Sequence, residues 1–171
     1  GPFPELPEGA YEVSDLFPLV DEGGTERWIF KTDILPGFAT QGVTRYFVGD
    51  FDGTTFTPLT DALVVDHGPD FYAAQHIARS SPDAWMAWLS SWAYALDQPT
   101  EPFRGQLTVP RTLRLIGSGA DARLAQSPQL GGLVDGCPLA ETAADADVVE
   151  GDAFHVLATV DAGEDAQLAF F

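Results

Sequence analysis

The sequence predicts an all-β protein, and three observations carry that prediction. From Trp28 to Asp147, short runs of β-branched, aromatic and aliphatic residues alternate with Gly, Pro and Asp clusters. No apolar period of 3.6 residues is sustained anywhere in that stretch. Asp52-Gly53 lies between two such runs, where a hairpin turn demands a positive φ that Gly tolerates. With 45% hydrophobic and 12% aromatic residues among 171, the chain can bury a core and is too apolar for a disordered acidic tail.

In chain order, the first strands are Trp28-Ile29-Phe30-Lys31-Thr32 and Thr44-Arg45-Tyr46-Phe47-Val48. The turn Gly49-Asp50-Phe51-Asp52-Gly53 follows, and then the run Thr54-Thr55-Phe56-Thr57. Residues 84–94 alternate as one long strand, with Met86, Trp88, Ser90, Trp92 and Tyr94 on one face and Trp85, Ala87, Leu89, Ser91 and Ala93 on the other. A Pro- and Gly-bearing stretch, 98–110, separates it from Arg111-Thr112-Leu113-Arg114-Leu115. Further strands are expected at 154–160 and 167–171. From Ile116 onward ten acids face one base, Arg123, and this shift in composition places a domain boundary near 108–112, dividing 1–109 from 110–171. The apolar ending Phe170-Phe171 reads as mid-strand, as though the chain were cut there.

A formal net charge of −18 argues against nucleic acid and against an anionic membrane surface, since both require Lys and Arg against phosphates. A neutral ligand is compatible with it. No apolar run approaches a membrane span, and Gly1-Pro2-Phe3-Pro4 lacks the basic and apolar regions of a signal peptide. Location, cytoplasmic or secreted, is left open. Cys137 is the only cysteine, which excludes an intrachain disulfide and the cysteine-based metal spacings. Lys31 is the only lysine. A carboxylate-crowded surface of this kind is expected in a protein adapted to high salt, where charge repulsion is screened, and unfolding on dilution into low salt is the corresponding expectation.

The residues that could carry chemistry are carboxylates and aromatics, because no His-x-x-x-His, phosphate-binding Gly loop or nucleophile elbow occurs. Glu12, between Tyr11 and Val13, is either a surface residue of an edge strand or a general acid whose proton affinity is raised by apolar neighbours. Asp50 and Asp52 resemble the opening of a calcium loop. That loop's sixth and twelfth positions hold Thr55 and Asp61 instead of Gly and Glu, which favours a plain turn, and no metal site is expected. Asp66 and Asp70 could act in catalysis or anchor a loop through bonds to backbone. Trp88 and Trp92 could pack in the core or stack against the apolar face of a sugar. His67, His76 and His155 are scattered, and nothing calls for a cofactor.

Five segments, in order, resemble the β-fructosidases of glycoside hydrolase family 32, the group of invertases, levanases and inulinases. Tyr11-Glu12-Val13-Ser14-Asp15-Leu16-Phe17 is similar to the family's Trp-Glu-Cys-Pro-Asp-Leu-Phe segment, whose Glu is the general acid/base. Tyr46-Phe47-Val48-Gly49-Asp50-Phe51-Asp52-Gly53 and the run Asp66 to Gln75 resemble two further segments. Ala87-Trp88-Leu89-Ser90-Ser91-Trp92-Ala93-Tyr94-Ala95 and the run Pro99 to Arg111 resemble the Gly-Trp-Met-x-Asn-Trp-x-Tyr-Ala and Pro-Thr-x-Pro-Trp-Arg-Gly segments. Val13, Ser91, Phe103 and Thr112 stand where the family has Cys, Asn, Trp and Glu.

The resemblance implies the last blades of a five-bladed β-propeller over 1–109, followed by a linker and the first strands of a β-sandwich over 110–171. It implies retaining hydrolysis of terminal fructosyl bonds in sucrose, levan or inulin, with Glu12 as acid/base. Trp92 would line the fructosyl pocket, and Trp88, Tyr72 and Asp70 are further candidates for its wall. The family's nucleophile and transition-state-stabilising Asp lie in Asn-Asp-Pro-Asn and Arg-Asp-Pro contexts, neither of which occurs in these 171 residues. The N-terminal part of the same propeller is therefore an expected partner, and the isolated segment is expected to be inactive. Two other functions share these residues: a non-catalytic or degenerate carbohydrate-binding relative, and a fructosyltransferase.

Overall fold

A computed structural model describes Leu6, residues 9–35 and residues 44–131. Cys137, His155 and the strands expected at 154–160 and 167–171 lie outside them, and so do residues 132–171 of the segment expected as linker and sandwich. The first sheet contains β1 (Ala10–Val20), β2 (Glu26–Leu35), β3 (Thr44–Phe51), β4 (Phe56–Pro58) and β5 (Leu63–Val64). The second contains β6 (Tyr72–His76), β7 (Ala84–Leu89), β8 (Gln106–Leu107), β9 (Arg111–Ile116) and β10 (Arg123–Pro128). Among the described residues the only helical turns are two short 3-10 segments, Ala95–Asp97 and Gly119–Asp121.

Each sheet is an antiparallel meander four strands deep. The first runs β1-β2-β3-β4, with β5 also on β3; the second runs β6-β7-β9-β10, with β8 also on β7. The split strands share an edge: β4 pairs Gly49 to Phe51 while β5 pairs Arg45 and Tyr46, and β8 pairs Trp88 and Leu89 while β9 pairs Ala84 and Trp85. Repeated four-stranded meanders are the building unit of a propeller, and the described residues supply two such blades.

Local chemistry explains the turns. Between β1 and β2, the Asp21 side chain accepts the Thr25 N–H at 2.9 Å, and Gly24 takes φ +78°. Between β3 and β4, Asp52 accepts the N–H groups of Thr54 and Thr55 at 2.8 and 2.7 Å, and Gly53 takes φ +92°. These are side-chain turn bonds of the kind Asp favours, so Asp52 is a turn residue. Asp50 pairs with Arg27 at 2.6 Å.

The two sheets bury one apolar layer between them. Phe17, Leu19, Ile29, Tyr46, Val48 and Val65 come from the first side, and Phe71, Ala74, Trp85, Ala87, Leu113 and Leu115 from the second. Burial of large apolar side chains such as these stabilises by about 1.5–3 kcal/mol each. Polar groups inside the layer are matched. Trp85 Nε1 donates to Gln126 Oε1 at 3.0 Å, Gln126 Nε2 donates to the Val65 carbonyl at 2.8 Å, and the Arg111 guanidinium lies 4.4 Å from the centre of the Phe71 ring while pairing with Asp66 at 2.6 Å. Asp66 also accepts the Gly68 N–H at 2.7 Å, so it anchors the connection between the sheets.

Two expectations are corrected. The strand expected over 84–94 ends at Leu89. Ser90 and Ser91 are buried there, and the Ser91 carbonyl accepts N–H groups from Tyr94 at 3.2 Å and Ala95 at 2.9 Å, turning the chain. The boundary at 109/110 is not where the second sheet stops, because β9 and β10 pair with each other along their full length and β9 pairs with β7. The compact unit extends to Leu130.

Candidate active site

The first strands of the two sheets, β1 and β6, pack against each other, and both are irregular at the same point in their course. On β1, Glu12 lies opposite Asp33 and Asp15 opposite Lys31, so two residues, Val13 and Ser14, face the single Thr32. On β6, the register shifts between Tyr72 and Gln75. In each bulge the residue after the candidate side chain has a left-handed backbone: Val13 at φ +48° and Ala73 at φ +57°. Such conformations are unfavourable for a side chain with a Cβ, and most of all for a β-branched one.

The bulges aim two side chains at each other. Tyr72 Oη donates to Glu12 Oε2 at 2.6 Å across 60 positions of sequence. Glu12 is exposed and Tyr72 is buried. Burial, and then the Glu12 carboxylate beside it, raise the Tyr72 phenol well above its usual value, so it stays a proton donor throughout the neutral range.

Aromatic rings flank this pair. The Tyr72 ring meets Trp88 and Trp92 edge-on at 6.2 and 6.4 Å, and the two indoles are 5.0 Å apart. Trp92 is 45% exposed, which leaves part of its face open to a ligand. Trp88 is held by a bond from Nε1 to the Arg104 carbonyl at 3.0 Å, and Gly105 beside it donates to Gln98 Oε1 at 2.7 Å. The loop from 98 to 105 thus frames Trp88 from behind.

The sequence-derived candidates Glu12, Tyr72, Trp88 and Trp92 are brought together. Asp70 holds a different position, accepting the phenol O–H of Tyr94 and so bracing the turn that carries Trp92. Burial and the Asp70 carboxylate raise the Tyr94 phenol from its ordinary value.

Beneath the two bulges lies a pair that the motif reading passed over. Lys31 and Asp33 are fully buried and pair at 2.6 Å. Lys31 Nζ also donates to the Val13 carbonyl at 3.0 Å. Asp33 Oδ2 accepts the Ala73 N–H at 3.1 Å, and Asp33 Oδ1 accepts the Thr44 hydroxyl. Burial lowers the Lys31 ammonium from its ordinary value and raises the Asp33 carboxyl, and each partner opposes the shift of the other. The signal in the sequence was a lysine and an aspartate on either side of Thr32, with apolar residues flanking all three in the run 28–35.

An exposed carboxyl with a phenol on one oxygen, beside an open indole face, is able to exchange a proton with a ligand oxygen while the rings hold the ligand's apolar face. Comparison with known proteins places the chain in a family. Residues 4–128 match the family model described as the glycosyl hydrolases family 32 N-terminal domain. The chain is similar to a levanase of Bacillus subtilis, 37% identical over 130 residues that make up 70% of this chain and 19% of the levanase. It is also similar to an extracellular exo-inulinase of Aspergillus awamori, 36% identical over 135 residues, or 71% of this chain and 25% of the relative. A crystal structure of the A. awamori exo-inulinase superposes with a TM-score of 0.62 at 35% identity, over 71% of this chain and 26% of the other. A variant fructofuranosidase of Schwanniomyces occidentalis, complexed with fructosylnystose, superposes with a TM-score of 0.61 at 32% identity, over 69% of this chain and 25% of the other. The chain therefore spans about a fifth to a quarter of the length of these relatives. Because that family model matches residues 4–128 of the 171, the chain belongs to glycosyl hydrolase family 32.

Proposed function

We propose that this chain supplies the acid/base carboxyl and the sugar-stacking wall of a β-fructofuranosidase that hydrolyses terminal fructosyl bonds with retention. The contact between Tyr72 and Glu12 beside Trp88 and Trp92 carries the reading. Relatives named levanase and exo-inulinase, and a neighbour complexed with fructosylnystose, point to fructose-containing saccharides as substrates.

In the first step Glu12, protonated, gives its proton to the oxygen that leaves the anomeric carbon, while a carboxylate nucleophile forms the fructosyl ester. In the second step Glu12, now ionised, takes a proton from water as that water attacks the anomeric carbon and releases the nucleophile. Tyr72 donates to the carboxylate left after the first step and holds its oxygen in place, and Trp92 offers a ring face to the fructosyl unit. The 171 residues contain neither an Asn-Asp-Pro-Asn nor an Arg-Asp-Pro string, so the nucleophile is to be supplied by other sequence of the same propeller. The segment alone is then inactive.

The test is fructose release from sucrose, levan and inulin by the 171-residue chain and by the full-length protein carrying it. Release by the full-length protein that is lost in Glu12→Gln, with none from the segment, is the expected result. Unchanged turnover in Glu12→Gln removes the acid/base assignment. Unchanged sugar affinity with no turnover in either form turns the reading to a carbohydrate-binding protein.

A further inference from the structure

We propose that Lys31 and Asp33 are positioning residues for this reaction, a buried ion pair that fixes the backbone of both bulges and so sets Glu12 against Tyr72. The inference rests on the acid/base reading of Glu12, and its test separates the two.

The argument starts from what an ion pair inside a core is suited to do. Taking an ammonium and a carboxylate out of water costs more than their attraction returns unless every donor and acceptor is matched, and apolar residues of the same volume would hold two sheets together as well or better. Lys31 and Asp33 are both fully buried. What they do that an apolar pair could not is bond to backbone. The ammonium holds the carbonyl of Val13, and the carboxylate holds the N–H of Ala73. Those are the left-handed residues of the two bulges, each directly following a site residue, Glu12 in one sheet and Tyr72 in the other.

The pair therefore spans the seam between the sheets at the catalytic contact. Asp33 is also the cross-strand neighbour of Glu12 on β2. Strained backbone of this kind persists only where the surroundings over-determine it, and here the surroundings are a charge at each end. Thr44 completes the cradle by donating to the second oxygen of Asp33. Gln75 Nε2 adds a second donor to the Val13 carbonyl at 3.4 Å.

The test uses the full-length protein carrying this segment and two substrates, sucrose and β-fructosyl fluoride. Sucrose needs its leaving oxygen protonated; fluoride leaves without that help. Lys31→Met/Asp33→Asn removes both charges together and leaves no lone buried ion. If the pair positions Glu12, kcat/KM on sucrose falls about tenfold or more while kcat/KM on the fluoride stays within about threefold. A merely structural role lowers both substrates by the same factor, through the folded fraction, and that outcome overturns the proposal, as does no loss on either. Should the double variant not accumulate folded, Thr44→Val tests the same cradle from the other oxygen of Asp33. A loss confined to sucrose is expected there, and an equal or absent loss overturns the proposal in the same way. Glu12→Gln run in parallel keeps the two claims apart. A sucrose-selective loss in Glu12→Gln without one in the double variant sinks only the positioning role, whereas no loss in Glu12→Gln sinks the acid/base reading beneath it.

Discussion

The Tyr72 phenol lies 2.6 Å from a carboxylate oxygen of Glu12, so the first strand of one blade holds the proposed acid/base of the other. Removing only that hydroxyl tests its part in the reaction. Tyr72→Phe keeps the ring against Trp88 and Trp92 and leaves Glu12 Oε2 without its phenol. Turnover by the full-length protein is expected to fall about tenfold, and stability by about 1–2 kcal/mol. Steady-state kinetics with urea denaturation checks both, and a variant with full turnover would show that the hydroxyl is a bystander.

Trp85 sits at the centre of the layer between the blades, with its ring fully buried and 6.2 Å from Phe17 and 5.8 Å from Phe71. Trp85→Ala leaves a large cavity and takes from Gln126 Oε1 one of its two donors, the other being Arg111 at 3.2 Å. The expected loss is about 3–5 kcal/mol. Equilibrium unfolding monitored by circular dichroism measures it, and a loss under about 1 kcal/mol would mean that the blades do not share this core.

Asp21 gives the pH dependence a definite sign. Its carboxyl is held below the ordinary value of 3.8, first by the Thr25 N–H and then, against the cost of burial, by Gly119 and Arg27. A carboxyl whose folded-state value is depressed stabilises the fold above its unfolded value and loses that effect as pH falls through the folded one. Asp21→Asn is therefore expected to melt below the parent protein at neutral pH, with the gap closing as pH drops below about 3.8. Thermal melts from pH 7 to pH 2 check this, and a gap that widens on acidification would contradict it.

Gly105 is irreplaceable for a local reason. Its φ is +68°, and a Cβ there would come within 2.3 Å of Trp88 Nε1 and 2.7 Å of the Ser90 Cβ. Gly105→Ala is expected to displace Trp88 and raise KM for sucrose severalfold, at a stability cost of about 1 kcal/mol or more from the backbone alone. Kinetics read against the melting temperature separates the two effects; an unchanged KM would exclude Trp88 from the sugar site.

How far the sequence could be read depends on whether the deciding interaction is local. The hairpin at Asp52-Gly53 and the alternation of Trp85 and Ala87 were legible because turn chemistry and pleat are set by neighbours in sequence. The end of β7 was not, since alternation continues through Ser90 to Tyr94 while the pairing edge supplied by β8 covers only Trp88 and Leu89. The continuation of the second sheet through β9 and β10 was missed for a related reason. A shift toward acidic composition describes a surface, and here it coincides with strands that pair in the same blade. Glu12, Trp88 and Trp92 stood out by residue type with a plain structural reading beside each, and the resemblance added Tyr72, because nothing local foretells a contact 60 positions apart. Lys31 and Asp33 were visible as charges in an apolar strand, but only the folded chain shows that both ends of the pair grip a bulge.

The extra residue at Val13 and Ser14 also decides which way Glu12 points. Side chains alternate along a strand, so in an unbroken β1 an even-numbered residue would face away from Phe17 and Leu19. The bulge adds one position to β1 against β2, which resets the phase and puts Glu12 on the side shared by Asp15, Phe17 and Leu19, toward the neighbouring blade. With both residues present and no bulge, the same carboxylate would be presented to the opposite face, whereas a chain lacking one of the two could pair regularly and keep Glu12 on this one. In this protein the direction of the proposed acid/base depends on where β1 absorbs an extra residue as much as on which residues it holds.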